Sequence, residues 1–269
     1  MSANRNPQQA QMADESMVRN LSAQAQAIWP QERALFERYG QPASVLDLAC
    51  GTGEITKRLG EMFPEATVTG VDVEESHLNS ARKHCVALGD RVRFEKGDAF
   101  ELPYADATFS LAVNRHMLQA VPDADLIVKE MVRVTKPGGH VHIAAEDYSM
   151  MHFHPTRLDT DEFWRLGPIT FARNTGSDLR SGRKIYTWLR ELGVQEVRVD
   201  YVVIDTLRVE REVFAQIWEA WRDGYTQIIA DNTDFTAEQV RGHWNDMIDC
   251  IRNPDGYACW QLPVIAAKI

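Results

Sequence analysis

Cysteine is scarce in this chain: four among 269 residues, at positions 50, 85, 250 and 259. None forms a Cys-x-x-Cys pair and no pair has zinc-site spacing. Neither a metal site nor a disulfide scaffold is therefore expected, and free thiols in a reducing compartment are the simplest reading. Basic residues are in deficit, with 29 Lys plus Arg against 39 Asp plus Glu, a net charge of −10. That balance offers no general footprint for nucleic acid or anionic lipid. Long apolar runs are missing too, since nothing approaches the ~18 consecutive apolar residues that span a bilayer. The opening stretch MSANRNPQQAQMADES is polar and has no apolar core of a secretory signal, so a cytoplasmic location is expected. What is present is 44% hydrophobic and 25% charged, the composition of a globular chain with one sizeable core.

Along the chain, residues 1–16 read as a frayed polar segment. Helical periodicity runs from Met17 to Tyr39, with Pro30 as an interruption. Short apolar runs then alternate with helices. Strands are expected at Ser44–Ala49, Thr67–Asp72, Val92–Glu95, Phe109–Val113 and His140–Ala145, with helices at Ile55–Phe63, Ser76–Leu88 and Ala124–Val134. That rhythm predicts βαβ units and a doubly wound parallel sheet. After Tyr148 it breaks. Residues 149–182 are mixed, Arg183–Leu192 is helical, Glu196–Ile204 is a strand, and two amphipathic helical stretches follow within 209–256. Tyr257–Ala267 is a final strand that Pro263 should interrupt.

The most informative stretch is Val45-Leu46-Asp47-Leu48-Ala49-Cys50-Gly51-Thr52-Gly53, a Gly-x-Gly turn between strand and helix. Glycine there lets the backbone turn sharply and approach a ligand. Thr56 stands where a dinucleotide fingerprint has its third glycine, which speaks against a nicotinamide-dependent oxidoreductase on a similar sheet. Asp47 suits a cationic ligand and not a phosphate. Asp72 ends the second strand, where a carboxylate can accept both hydroxyls of a ribose, and Asp98 follows the third, in reach of an adenine amino group. Three acids thus line one crevice at the C-terminal edge of the sheet.

DLACGTG, TGVD, GDAFELPYADATFSLAV and VTKPGGHVHIAAE, in this order, resemble the successive motifs of the class I S-adenosylmethionine-dependent methyltransferases, with the small-molecule "type 11" group closest in flavour. The resemblance covers about Val45 to Glu146. It implies a Rossmann-like α/β fold with a doubly wound seven-stranded sheet, the last strand antiparallel, plus helical lid insertions. It also implies S-adenosylmethionine as cofactor and S-adenosylhomocysteine as product. By the same resemblance Asp47, Ala49, Gly51, Thr52 and Gly53 lie toward the methionine part, Asp72 and Val73 at the ribose, Asp98 and Ala99 at the adenine. Asn114, read as just past strand four, would help hold the methionine end. The division expected is a helical cap at 1–40, a cofactor core at 41–148, an acceptor loop at 149–182, core helix and strand at 183–208, a helical lid at 209–256 and the last strand at 257–269.

The partner expected is a small aromatic or hydrophobic acceptor, with neither nucleic acid nor membrane; pairing into a homodimer is left open by the sequence. Several small-molecule O-methyltransferases of the family this chain resembles carry a histidine shortly before a Pro-Asp that follows strand four. Here Gln119 and Ala120 precede Pro122-Asp123, which moves the search for a base to Glu146 and His152 beyond strand five. The acceptor pocket is expected from Trp29, His116, Tyr148, Met150, Phe153, Phe214, Trp218, Trp221 and Tyr225. Insertions beside the C-terminal edge of such sheets commonly form it.

Overall fold

The computed structural model describes residues 5–269. A mixed sheet of eight strands carries the fold: β1 (Ser44–Leu48), β2 (Thr67–Asp72), β3 (Val92–Lys96), β4 (Phe109–Arg115), β5 (Thr135–Ala144), β6 (Met151–His154), β7 (Glu196–Asp205) and β8 (Tyr257–Lys268). β3, β2, β1, β4 and β5 lie side by side and parallel. β8 runs antiparallel to β5 and pairs along its other side with β7. This is the expected seven-stranded frame, to which β6 is added beside the far end of β8.

The strands are apolar on both faces because both faces are covered. Val45, Val68 and Leu111 point into a layer under α3 (Glu54–Met62), while Leu46, Val71 and Ala112 point into the layer of α5 (Ala124–Val134) and α8 (Ile185–Glu191). α4 (Glu75–His84) packs beside β2 and β3. Order reverses between β1 and β4, which opens a crevice at the C-terminal ends of these strands, where open α/β sheets take ligands. A third core lies above it, built by α6 (Thr160–Leu166), α7 (Pro168–Thr175), α9 (Arg211–Asp231) and α10 (Ala237–Arg252) with part of α2 (Glu15–Phe36). Its tryptophans 164, 218, 221, 244 and 260 are all buried. Among the described residues no helix is long and apolar enough to cross a membrane.

Four expectations are corrected. Pro30 does not interrupt α2, which runs through it; the carbonyl that loses its partner belongs to Gln26, an exposed residue. Pro263 does not interrupt β8 either. Its carbonyl accepts from Ala145 on the β5 side, so its nitrogen faces that side too, in the gap between β5 and β6, and pairing with β7 continues unbroken. The polar N-terminal segment is not frayed from residue 5 onward. Gln8 is 2% exposed and bonds Ser177 at 3.0 Å, α1 (Gln9–Met12) follows, and the Tyr225 hydroxyl donates to Gln8 at 3.1 Å. The earlier part of that expectation, residues 1–4, lies outside the described residues. Finally, 151–154 is a strand and not loop, which decides the fate of its histidines below.

Candidate active site

The Gly-rich turn after β1 is held in a conformation that side chains resist. Ala49, Gly51 and Gly53 have φ of 59°, 52° and 79°. A Cβ on Gly51 would come within 2.9 Å of Leu21 on α2, so the glycine allows close cover of the crevice. Gly53 answers a different demand: its Cβ would meet Ala81 on α4 at 2.9 Å, and it is not among the residues that line the crevice. Asp72 receives the Gly51 amide at 2.8 Å and the Glu74 amide at 2.9 Å, which locks its carboxylate at the mouth of the turn. Asp98 is exposed and caps Phe100 at 2.9 Å. Asp72, Val73, Asp98 and Ala99, with Leu48 and Phe100, line one lobe of the crevice. That is the shape and polarity a nucleoside needs: apolar walls for a base, acids at the edge for its amine and for sugar hydroxyls.

Asp47 sits in a small recess with Ala49, Thr52 and Gln24. It is buried and accepts the Thr56 hydroxyl at 2.6 Å. Burial raises its carboxyl to about 6, the Thr56 bond and Arg115 opposing. A buried acid in this state gains from a cation brought beside it. Thr56, the departure from the dinucleotide pattern, thus orients Asp47. Asn114 needs correction. It lies within β4, not past it, is fully buried, and spends its amide on the Leu48 carbonyl at 2.9 Å, supporting the strand beneath the crevice.

The second lobe begins at Ala49, Gly51 and Asp72 and extends under α2, α7, α9 and α10. Its polar floor is a pair from adjacent strand ends. His116 follows β4 with φ 55°, and its Nδ1 lies 2.5 Å from Oε1 of Glu146, just past β5. Glu146 is fully buried. His116 Nε2 has no hydrogen-bond partner among the described residues, an orphan that a ligand would satisfy. The neighbouring Asp147 is turned away into a bidentate pair with Arg183, so the two acids that end β5 divide into one at the cavity and one in the scaffold. The walls are aromatic. Tyr148 stacks on Trp164 at 5.1 Å and meets Trp221 edge-on at 5.3 Å; Phe171, Tyr225 and Trp244 complete the lining. Burial, and then the nearby Glu146, push both phenols, Tyr148 and Tyr225, above the usual range, so both stay neutral hydrogen-bonding groups.

Several residues expected at the acceptor do not reach it. His152 lies on β6, where alternation buries Met151 and Phe153 and turns His152 to solvent, so it is no acid–base candidate. Phe153, Phe214 and Trp218 are core: Trp218 is 0% exposed, 4.9 Å from Phe214 and 5.5 Å from Phe153. Trp29 packs on Phe36 at 5.6 Å, away from the crevice. Met150 gives its carbonyl to Gln261 and does not line the aromatic cavity. Conversely, Asn20 and Gln24 on α2, Trp164 and Trp244 line the cavity although the sequence reading does not place them there, and Gln119, read only as the residue standing where a base is absent, lines it too. The signal for the first two was there: polar residues four apart inside the apolar stripe of Met17, Leu21 and Ile28.

A buried ionic cluster underlies this floor. Glu32 of α2, fully buried, takes Arg115 Nε at 3.0 Å and His142 Nε2 at 3.0 Å. Burial alone would raise Glu32, but Arg115 and then His142 bring it down to about 2. His142 is fixed in turn by Tyr39 at 2.9 Å and by Phe36 stacked at 4.0 Å.

Comparison with known proteins identifies the family and the fold. A family model described as "Methyltransferase domain" matches residues 45–139. The ubiquinone/menaquinone biosynthesis C-methyltransferase of Desulfotalea psychrophila is 38% identical over 109 residues, 40% of this chain and 44% of that one. The demethylmenaquinone methyltransferase of Bacillus cytotoxicus is 31% identical over 173 residues, 64% of this chain and 70% of that one. The chain spans about half the length of the first curated relatives it matches. Among solved structures, a phosphoethanolamine N-methyltransferase from Haemonchus contortus, in complex with phosphomonomethylethanolamine and S-adenosylhomocysteine, superposes with a TM-score of 0.57 at 21% identity over 89% of this chain and 52% of that one. At that identity the likeness concerns the fold.

Proposed function

The chain belongs to the class I S-adenosylmethionine-dependent methyltransferases, and from that premise we propose that it methylates a small aromatic acceptor of the phenol or quinol class. The observation that carries the reading is the His116–Glu146 pair, 2.5 Å apart, at the junction of the crevice and the aromatic cavity. The names of the relatives, which speak of ubiquinone and menaquinone, favour an oxygenated ring and transfer to a ring carbon.

When bound, the cofactor supplies a methyl group on a cationic sulfur, already activated for in-line displacement. The chain's own work is then positioning, water exclusion and one proton. Glu146 holds the Nδ1–H of His116, which leaves Nε2 as acceptor for the hydroxyl proton of the ring. Removing that proton makes the ring electron-rich at the carbons beside the oxygen; the carbon that takes the methyl group then sheds its own proton to restore the aromatic ring, the proton held by His116 returns to the ring oxygen, and one proton in all leaves to solvent. Tyr148, Trp164 and Trp221 fill the space around it with flat apolar surface. The turns that follow β1, β2 and β3 are assigned to the cofactor, and His116, Glu146 and Tyr148 with α6–α7 and α9–α10 to the acceptor, while α2 closes over both.

The test is turnover of S-adenosylmethionine with a panel of phenols, hydroquinones and aliphatic amines, read by mass spectrometry and product NMR. Methylated phenol or quinol is expected, with His116→Ala slower by roughly 10²–10⁴-fold and S-adenosylhomocysteine affinity kept. Methylation of the amines alone, or an unimpaired His116→Ala, overturns the reading.

A further inference from the structure

We propose that Arg115 holds the carboxylate of the cofactor's methionine part, with Glu32 as its positioning residue. The inference rests on the cofactor and is independent of the acceptor.

The cofactor carries two cations at this end, sulfonium and ammonium, and one anion. The crevice offers acids in plenty: Asp47, Asp72 and Glu146. These suit the cations and repel the carboxylate. Among the described residues that line the large cavity and the recess beside Asp47, Arg115 is the one Lys or Arg, and it lines both. Its neighbours there, Ala49 and Gln24, place it beside the Gly-rich turn; Arg5, the basic residue of the adenine lobe, stands at the opposite end.

Arg115 is set up for a second anion. Glu32 takes its Nε at 3.0 Å and stands 3.0 Å from Nη2. Nη1 makes no hydrogen bond among the described residues. A guanidinium has five N–H donors in a rigid fork, and one carboxylate engages one edge of it. Glu32 cannot follow an approaching ligand, because His142 holds the same oxygen and is itself clamped by Tyr39 and Phe36. The cluster therefore presents the remaining edge of Arg115 in a single orientation before any ligand arrives. Preorganised donors of this kind lose little freedom on binding.

Calorimetry with two ligands tests the proposal: S-adenosylhomocysteine and its decarboxylated counterpart, which keeps adenosine, sulfur and ammonium. The wild-type protein should prefer the first by roughly 10–100-fold, the range of a charge-assisted hydrogen-bond pair. Arg115→Gln alone would strand Glu32 as a buried charge, so the variant that decides is the double replacement Glu32→Gln with Arg115→Gln, which removes both charges together. It should bind the decarboxylated ligand within about threefold of wild type and no longer distinguish the two. Glu32→Gln alone should lower the preference partway, since the guanidinium stays but its orientation loosens. A wild-type preference below about threefold, or a folded double variant that keeps the preference or loses both ligands equally, overturns the proposal. A purely structural role for the pair would change the melting temperature and leave the ratio of the two affinities untouched.

Discussion

The wall that carries Gly51, Asp72 and Asp98 and the wall that carries Trp164, Trp221 and Trp244 enclose one space on opposite terms. The first is made of turns that follow strand ends, with backbone amides and carboxylates locked to one another over a few residues, as Asp72 is locked to Gly51 and Glu74. The second is made of helices from distant parts of the chain, whose rings touch each other more than they touch anything polar. In the first wall, identity at each position is set by local conformation and charge. In the second, a ring's role depends on which neighbour lies behind it: Trp221 lines the cavity, while Trp218, three residues earlier on the same helix, is sealed in the core. Polar function can be localised residue by residue on one side, and only face by face on the other.

Replacement of that sealed ring is the harshest break of the comparison. Trp218→Ala should cost about 3–5 kcal/mol of stability, seen as an early denaturant midpoint, while acceptor KM of the surviving folded protein stays near wild type. A stable variant with altered acceptor choice would return Trp218 to the pocket.

Next in size is Asp72→Ala, which should weaken S-adenosylhomocysteine by about 2–4 kcal/mol. Calorimetry should show this loss, with a smaller loss of stability from the two freed backbone amides. Wild-type affinity would mean the sugar lies elsewhere.

Asp47 separates the two walls by pH. Its carboxyl is raised to about 6 in the folded protein from an ordinary 3.8, chiefly by burial. The folded state therefore holds the proton more tightly than the unfolded chain, so stability falls as pH rises from about 4 to about 6 and stays lower above that. A rise of this size corresponds to a few kcal/mol at most, on the order of 3. Asp47→Asn should flatten this slope and gain stability at pH 8, yet bind the cationic cofactor less well. An unchanged pH profile of unfolding would show that Asp47 is not the group responsible.

The mildest change expected is Trp221→Phe, which keeps an aromatic face and removes part of its area. About 1 kcal/mol, or roughly fivefold, in acceptor KM is expected, with S-adenosylhomocysteine binding unaffected. Equal losses for both ligands would merge the two walls into one.

The crevice lined by Asp72, Val73, Asp98 and Ala99 could be read along the chain because strand, Gly-rich turn and acid are neighbours in sequence. The His116–Glu146 pair could not. Glu146 was singled out, but its partner His116 lies 30 residues away, joined to it because β4 and β5 are adjacent. His152 looked comparable to Glu146 until alternation along β6 turned it to solvent. Arg115 and Glu32 are 83 residues apart and escaped notice for the same reason. Pro30 and Pro263 looked like breaks because their missing donors are visible in the sequence, whereas the solvent or the strand gap that receives them is not.

Apolar period, glycine position and strand-end acids are local properties, so the doubly wound sheet and its cofactor edge follow from residue order alone. Which aromatic ring meets the acceptor, which acid is paired to an arginine and which to a histidine, and which polar side chains of α2 face the cavity are properties of contact between remote segments. A helix shows the same hydrophobic stripe whether it covers a core or a void, because burial removes apolar surface from water equally well in both. Only the packed structure distinguishes them.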